Sequence, residues 1–145
     1  MELVEKNSSL LDKFKMLQLP DNYVVMGGTC LYVKGLREDY TDLDVYAGPE
    51  CWNYLTNKYK TEPAGSGVGR KIILEEELIE IFDTWFPGEW DFDTLYNRSE
   101  VIDGIRYANL LDILEWKERR YALSKKEKDM KDIQAIKAFL SKSTN

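Results

Sequence analysis

Histidine is missing from this chain altogether, and that absence narrows its chemistry before any motif is read. Without an imidazole there is no Ser-His or Cys-His nucleophile pair and no use of the commonest general base. Any reaction must therefore run on carboxylates, lysines and metal ions. Cysteine is nearly as scarce. Cys30 and Cys51 are the only two, without CxxC spacing, so neither a zinc site nor a disulfide framework is indicated and both read as buried thiols. No run of about 18 apolar residues is present for a membrane span. The opening "MELVEKNSSLLDKF" also lacks the basic-then-apolar order of a signal peptide, which leads to the expectation of a cytoplasmic protein. There is little positive charge to spare. A net charge of −6 argues against diffuse binding to a phosphate backbone, leaves room for a local basic patch, and suits a cationic small molecule.

The 145 residues, 43% hydrophobic and 32% charged, suffice for one buried core, so a single domain over 1–145 is expected. Periodicity places an amphipathic helix over 8–18 after a capping serine, and a buried strand over 23–27 ending at Gly27-Gly28. A short helix over 29–35, a connection over 36–40 and a strand over 41–47 follow. Residues 48–60 read as a helix with Pro49 in its first turn, 62–71 as a glycine-rich flexible loop, and 71–86 as one or two strands. After a loop over 87–93, residues 99–109 suggest two strands around an Asp103-Gly104 turn. The last third is helical, over 110–123 with Asn109 as cap and over 125–140 with Ser124 and Glu127 in a capping box. The tail from 141 should fray. This order implies a mixed α/β (α+β) sheet domain, core about 20–108, closed by a carboxy-terminal helical pair over about 109–141.

The chemistry concentrates in "VVMGGTCLYVKGLREDYTDLDVY", residues 24–46. In a strand, residues two apart face one side, so Asp42 and Asp44 project together while Thr41, Leu43 and Val45 face the other. Two carboxylates side by side repel unless a cation sits between them, and a divalent metal is the natural one. Glu80 in "LIEIFD" has the same apolar-acid-apolar setting and is the candidate third acid. Asp83 is its rival on the opposite strand face. Fourteen residues before Asp42, the turn Gly27-Gly28-Thr29 lets backbone approach a phosphate closely. Arg37 either neutralises phosphate charge or pairs with an acid of the site. "GSGVGRK" lacks Walker spacing and reads as a loop. A second Asp-apolar-Asp, Asp91-Phe92-Asp93, has no strand around it, and the aromatics of "DTWFPGEWDF" suit a lid, a core edge or the wall of an acceptor pocket.

"GGT" after an apolar strand, followed by "GLREDYTDLDV", resembles the nucleotidyltransferase superfamily typified by DNA polymerase beta. More narrowly it is similar to small prokaryotic abortive-infection, toxin-antitoxin and antibiotic-modifying nucleotidyltransferases. The resemblance implies that Gly27, Gly28 and Thr29 hold nucleotide phosphates, with threonine where serine is usual. It implies that Asp42 and Asp44 bind magnesium, two ions with manganese as a substitute, and that Glu80 stands where the family more often has aspartate. In "LLDILEWKERRYALSKKEKDMKDIQAIKAFL", Lys117 would approach the triphosphate. Lys128, Asp129 and Asp132 would brace a helix against core or nucleotide, with Lys126 where the family usually has arginine. The implied reaction moves a nucleoside monophosphate from an NTP to a hydroxyl and releases pyrophosphate. The alternative is a nucleotide-binding or regulatory protein on the same scaffold without turnover. Three acceptors compete: a small cationic molecule, a tRNA end and a protein side chain. A homodimer would complete an acceptor pocket.

Overall fold

The computed structural model describes residues 10–76 and 78–143. Helix α1 covers 10–16 and buries Leu10 and Phe14; the capping serine expected before it lies outside the described residues. Strand β1, Tyr23–Met26, is buried at all four positions, as a strand without polar alternation must be when both faces are covered. Helix α2, Gly28–Val33, follows at once. β2 is Leu43–Ala47, and α3, Pro49–Thr56, starts on its proline. The segment over 62–71 is less loop-like than its glycines suggest. It folds back on itself as β3, Glu62–Pro63, against β4, Arg70–Leu74. β5 is Ile79–Phe82.

Helix α4, Phe92–Arg98, replaces the end of the expected loop. The Asp91 carboxylate caps it by accepting from Thr94 N at 3.0 Å, so the second Asp-apolar-Asp is a helix start with Phe92 and Leu95 buried below it. β6, Glu100–Ile102, and β7, Ile105–Tyr107, form the expected hairpin around Asp103-Gly104. α5 is Leu110–Ser124, with Asn109 accepting from Asp112 N, and α6 is Glu127–Ser143. Two expectations fail here. Ser124 closes α5, its hydroxyl accepting from Lys126 N and donating to Asp129, so the capping box with Glu127 does not form. The helix also runs on through 141–143 rather than fraying at 141; residues 144 and 145 lie outside the described residues.

The seven strands order as β3-β4-β5-β2-β1-β7-β6. β1 pairs antiparallel with β2, while β1–β7 and β2–β5 are parallel. The sheet is therefore mixed, and its central strands carry Val24, Val25, Leu43, Val45, Ile79 and Ile81, all essentially inaccessible. α2 touches β1, β2, α5 and α6, which seats the carboxy-terminal pair beside the Gly27-Gly28 turn. Among the described residues no helix is long and apolar enough to cross a membrane.

Candidate functional site

The antiparallel pairing of β1 with β2 explains the spacing of the motif. Met26 lies opposite Asp44, so the chain leaves β1 at Gly27 where β2 carries its acids. Gly27 has φ +79°, and a Cβ there would stand 3.5 Å from Asp44 Oδ2. Glycine is required by the backbone angle and leaves the carboxylate uncovered. At Gly28 a Cβ would overlap Arg37 Nη1, so the Arg37 guanidinium lies directly on the turn. Arg37 also approaches Asp132 Oδ2 at 3.9 Å, so it lies beside the glycine turn and faces an acid of α6. Thr29 does not reach the cleft. It is buried, and its hydroxyl donates to Asp42 O at 3.1 Å, fixing the backbone that presents Asp42 instead of offering a hydroxyl to phosphate.

The register of β2 and β5 sets Glu80 level with Asp44. Asp42, just before β2, is exposed, and Asp44 is half-buried. Burial first, then the charges of Asp42 and Glu80, push the Asp44 carboxyl up to about 7, while Arg120 and Lys117 pull it down. Glu80 is engaged by Lys71 across β4, Nζ to Oε1 3.3 Å. Asp83 turns elsewhere: its carboxylate accepts from Arg70 N at 2.8 Å and from Thr84 Oγ1 at 3.1 Å, and it lines a different cleft with Tyr46 and Trp90. Of the two candidate third acids, only Glu80 shares a cavity with Asp42 and Asp44.

Among the described residues no three carboxylates or thiols are already gathered to hold a metal ion. The donor set present, two neighbouring carboxylates facing open space, nonetheless fits magnesium, which takes one or two carboxylates and completes its shell with water and substrate phosphate. The raised Asp44 carboxyl goes with that fit: burial is its main cause, and Asp42 and Glu80 add a repulsion that a bound cation would relieve.

Lys117 differs most from its expected place. It is 2% exposed and lies between α5 and α6, 3.2 Å from Asp129 and 2.9 Å from Asp132, so it is first a brace. Lys128 is exposed and shares a cavity of about 70 Å³ with Gly27, Gly28, Arg37, Lys117 and Arg120. Arg120 was not singled out from sequence. It pairs with Asp129 at 3.3 Å, lies over the Trp116 ring, and borders this cavity and a second one of about 290 Å³. Its only signal was its position one helical turn beyond Lys117. The second cavity holds Glu80 and Lys71 together with Phe82, Trp85 and Phe86, and Asp42, Asp44, Trp116 and Arg120 border both. The acids thus sit at the junction of a cation-rich cavity and an aromatic-walled one. Cys30 and Cys51 are buried free thiols, each pushed up to about 12 by burial.

No protein-family model matches the chain, and no curated protein does. Among solved structures it is similar to the Megavirus polyadenylate synthase, with a TM-score of 0.58 and 16% sequence identity. The match covers 92% of this chain and 31% of that one, so the chain spans about a third of that protein. The likeness is one of fold, a nucleotidyltransferase-like mixed sheet flanked by helices.

Proposed function

We propose that the protein is a magnesium-dependent nucleotidyltransferase that moves a nucleoside monophosphate from an NTP to a hydroxyl acceptor. The observation that carries this reading is the junction itself: Asp42 and Asp44 border both a cavity with Arg37, Lys117, Arg120 and Lys128 and a cavity with Glu80. A triphosphate suits the first, where the Gly27-Gly28 backbone is uncovered and the cations gather. A hydroxyl suits the second.

In the reaction the acceptor oxygen bonds to the α-phosphorus as the bond to the β-phosphate bridging oxygen breaks, and pyrophosphate leaves with that electron pair. The acceptor proton passes to Glu80 or to water beside it. Arg37 and Arg120 meet the charge of the leaving group, and Asp42 and Asp44 would hold the magnesium. A divalent ion bound there supplies charge neutralisation on the phosphate oxygens and a lower barrier to losing the hydroxyl proton. The protein contributes position and electrostatics. Within this class, the resemblance of "GGT" and "TDLDV" to the small prokaryotic enzymes supports a compact catalytic unit of that type acting in the cytoplasm.

One observation favours the alternative of nucleotide binding without turnover, namely the ion pair that holds Glu80 to Lys71. Pyrophosphate release separates the two readings. With each of the four NTPs, magnesium and a mixed acceptor pool, the enzyme reading expects magnesium-dependent release. Asp42→Asn combined with Asp44→Asn should abolish it while circular dichroism stays unchanged. Release that persists in the double variant removes the proposal.

A further inference from the structure

We infer that the acceptor is a small hydroxyl compound with a planar ring, bound in the aromatic-walled cavity on the β5 side of the acids. This rests on the nucleotidyl-transfer reading above.

The sides of the site are fixed by strand order. β2, with Asp44, has β1 and its glycine turn on one side and β5 with Glu80 on the other. In an in-line displacement the attacking and leaving oxygens stand on opposite sides of the phosphorus. The leaving pyrophosphate belongs with the cations beside Gly27 and Gly28, so the attacking hydroxyl enters from the β5 side. The cavity there has a volume of about 290 Å³, room for one compact ring compound.

Its walls select the acceptor. Phe82, Trp85 and Trp116 pack against one another, Phe82 to Trp85 at 5.5 Å between centroids and Trp85 to Trp116 at 5.1 Å. Trp85 and Trp116 are buried, so they make a packed aromatic floor, and the less buried Phe82, with Phe86, presents the ring surface against which a flat ring can lie. Phe86, 41% exposed, stands at the rim. The indole N–H of Trp85 is buried without a hydrogen-bond partner among the described residues, a donor for which the protein itself supplies no acceptor. The cations at this end are engaged, Lys71 by Glu80 and Arg120 by Asp129, which leaves little to track a nucleic-acid backbone.

Gly65 on the loop between β3 and β4 lines the cavity, and a Cβ there meets nothing within 4 Å. Gly65→Trp therefore adds an indole at the cavity lining without straining the fold, and Phe86→Ala removes rim surface from an exposed position. Saturation-transfer NMR should show tyrosol and tryptophol binding to the wild-type protein but not ribitol. The signal should fall at least tenfold in Gly65→Trp and weaken in Phe86→Ala, while magnesium-NTP thermal stabilisation stays as in wild type. The inference is overturned if neither ring compound binds, if binding survives Gly65→Trp, or if a decameric oligoadenylate displaces the ring compounds and is itself extended. Loss of NTP stabilisation in Gly65→Trp would assign the cavity to the nucleobase and overturn it too. A wild-type protein stabilised by no NTP fails the parent reading instead, whatever the ring compounds do.

Discussion

Asp44 is the residue whose surroundings are most plainly unfinished. Its carboxyl is pushed up to about 7 from an ordinary 3.8, so the folded protein holds this proton more tightly than the unfolded chain. Stability from this group is fully present below the unfolded value and is lost as pH rises through about 7. A shift of this size is on the order of 2 kcal/mol once partial solvent screening is allowed for. Asp44→Asn removes the penalty. We predict that without metal this variant melts above wild type at pH 8 and close to it at about pH 4, while the proposed transfer is lost; an Asp44→Asn protein that melts lower than wild type at pH 8 contradicts the assignment. This pair of acids was legible in sequence because strand periodicity puts residues two apart on one face, and the glycine turn because a positive φ beside a carboxylate leaves few other choices. Thr29 was not, since the direction of its hydroxyl depends on where α2 meets the Asp42 carbonyl. Nor was Arg120, because a face of α5 becomes a site wall only when α6 and β2 are in place.

At the scale of elements, the joint between α5 and α6 depends on Lys117 between Asp129 and Asp132. Removing the ammonium leaves buried Asp129 to Arg120 and buried Asp132 to Arg37 at 3.9 Å, so a loss of about 3 kcal/mol is expected, the low end for buried pairs broken on one side. Lys117→Ala should show that loss in urea unfolding, and a change below about 1 kcal/mol would mean the helices dock by apolar contact alone. Such a brace also bears on the site, because Asp132 approaches Arg37 and Asp129 holds Arg120. A second element-scale prediction concerns α4. Asp91→Ala deletes its cap and should cost about 1 kcal/mol by the same measurement, with nucleotide stabilisation unaffected, since Asp91 lines the cleft with Asp83 and Trp90 and neither cavity at the acids. That helix escaped the sequence reading because its seven residues make only about two turns, and its cap looked like a repeat of the Asp-Leu-Asp motif. β1, α3 and α5 were legible because their apolar patterns are plain: an unbroken apolar run in β1 and apolar positions at helical spacing in α3 and α5.

For the whole molecule, strand order was what the sequence could not yield, because parallel pairing of β2 with β5 and of β1 with β7 joins segments far apart in the chain and leaves no local trace. That order nonetheless carries the proposed function, since it puts the cation-rich cavity and the aromatic cavity on either side of β2. Two carboxylates without a third gathered ligand should bind magnesium weakly alone, and cations already engaged by Asp129 and Asp132 should bind an NTP weakly alone. Together each supplies what the other lacks: the ion offsets the charge at Asp42 and Asp44, and the phosphates complete its shell. Thermal melting is therefore predicted to respond little to millimolar magnesium or to NTP with EDTA, and by several degrees to both, as a ligand at about 100 times its Kd adds about 2.7 kcal/mol. The combined shift should shrink as pH falls below about 7, because protons compete with the metal for Asp44. Equal shifts with magnesium alone would mean that the acids form a complete metal site without nucleotide, and a shift with NTP in EDTA as large as with magnesium would place the triphosphate on the cations alone and remove the metal from the proposed reaction.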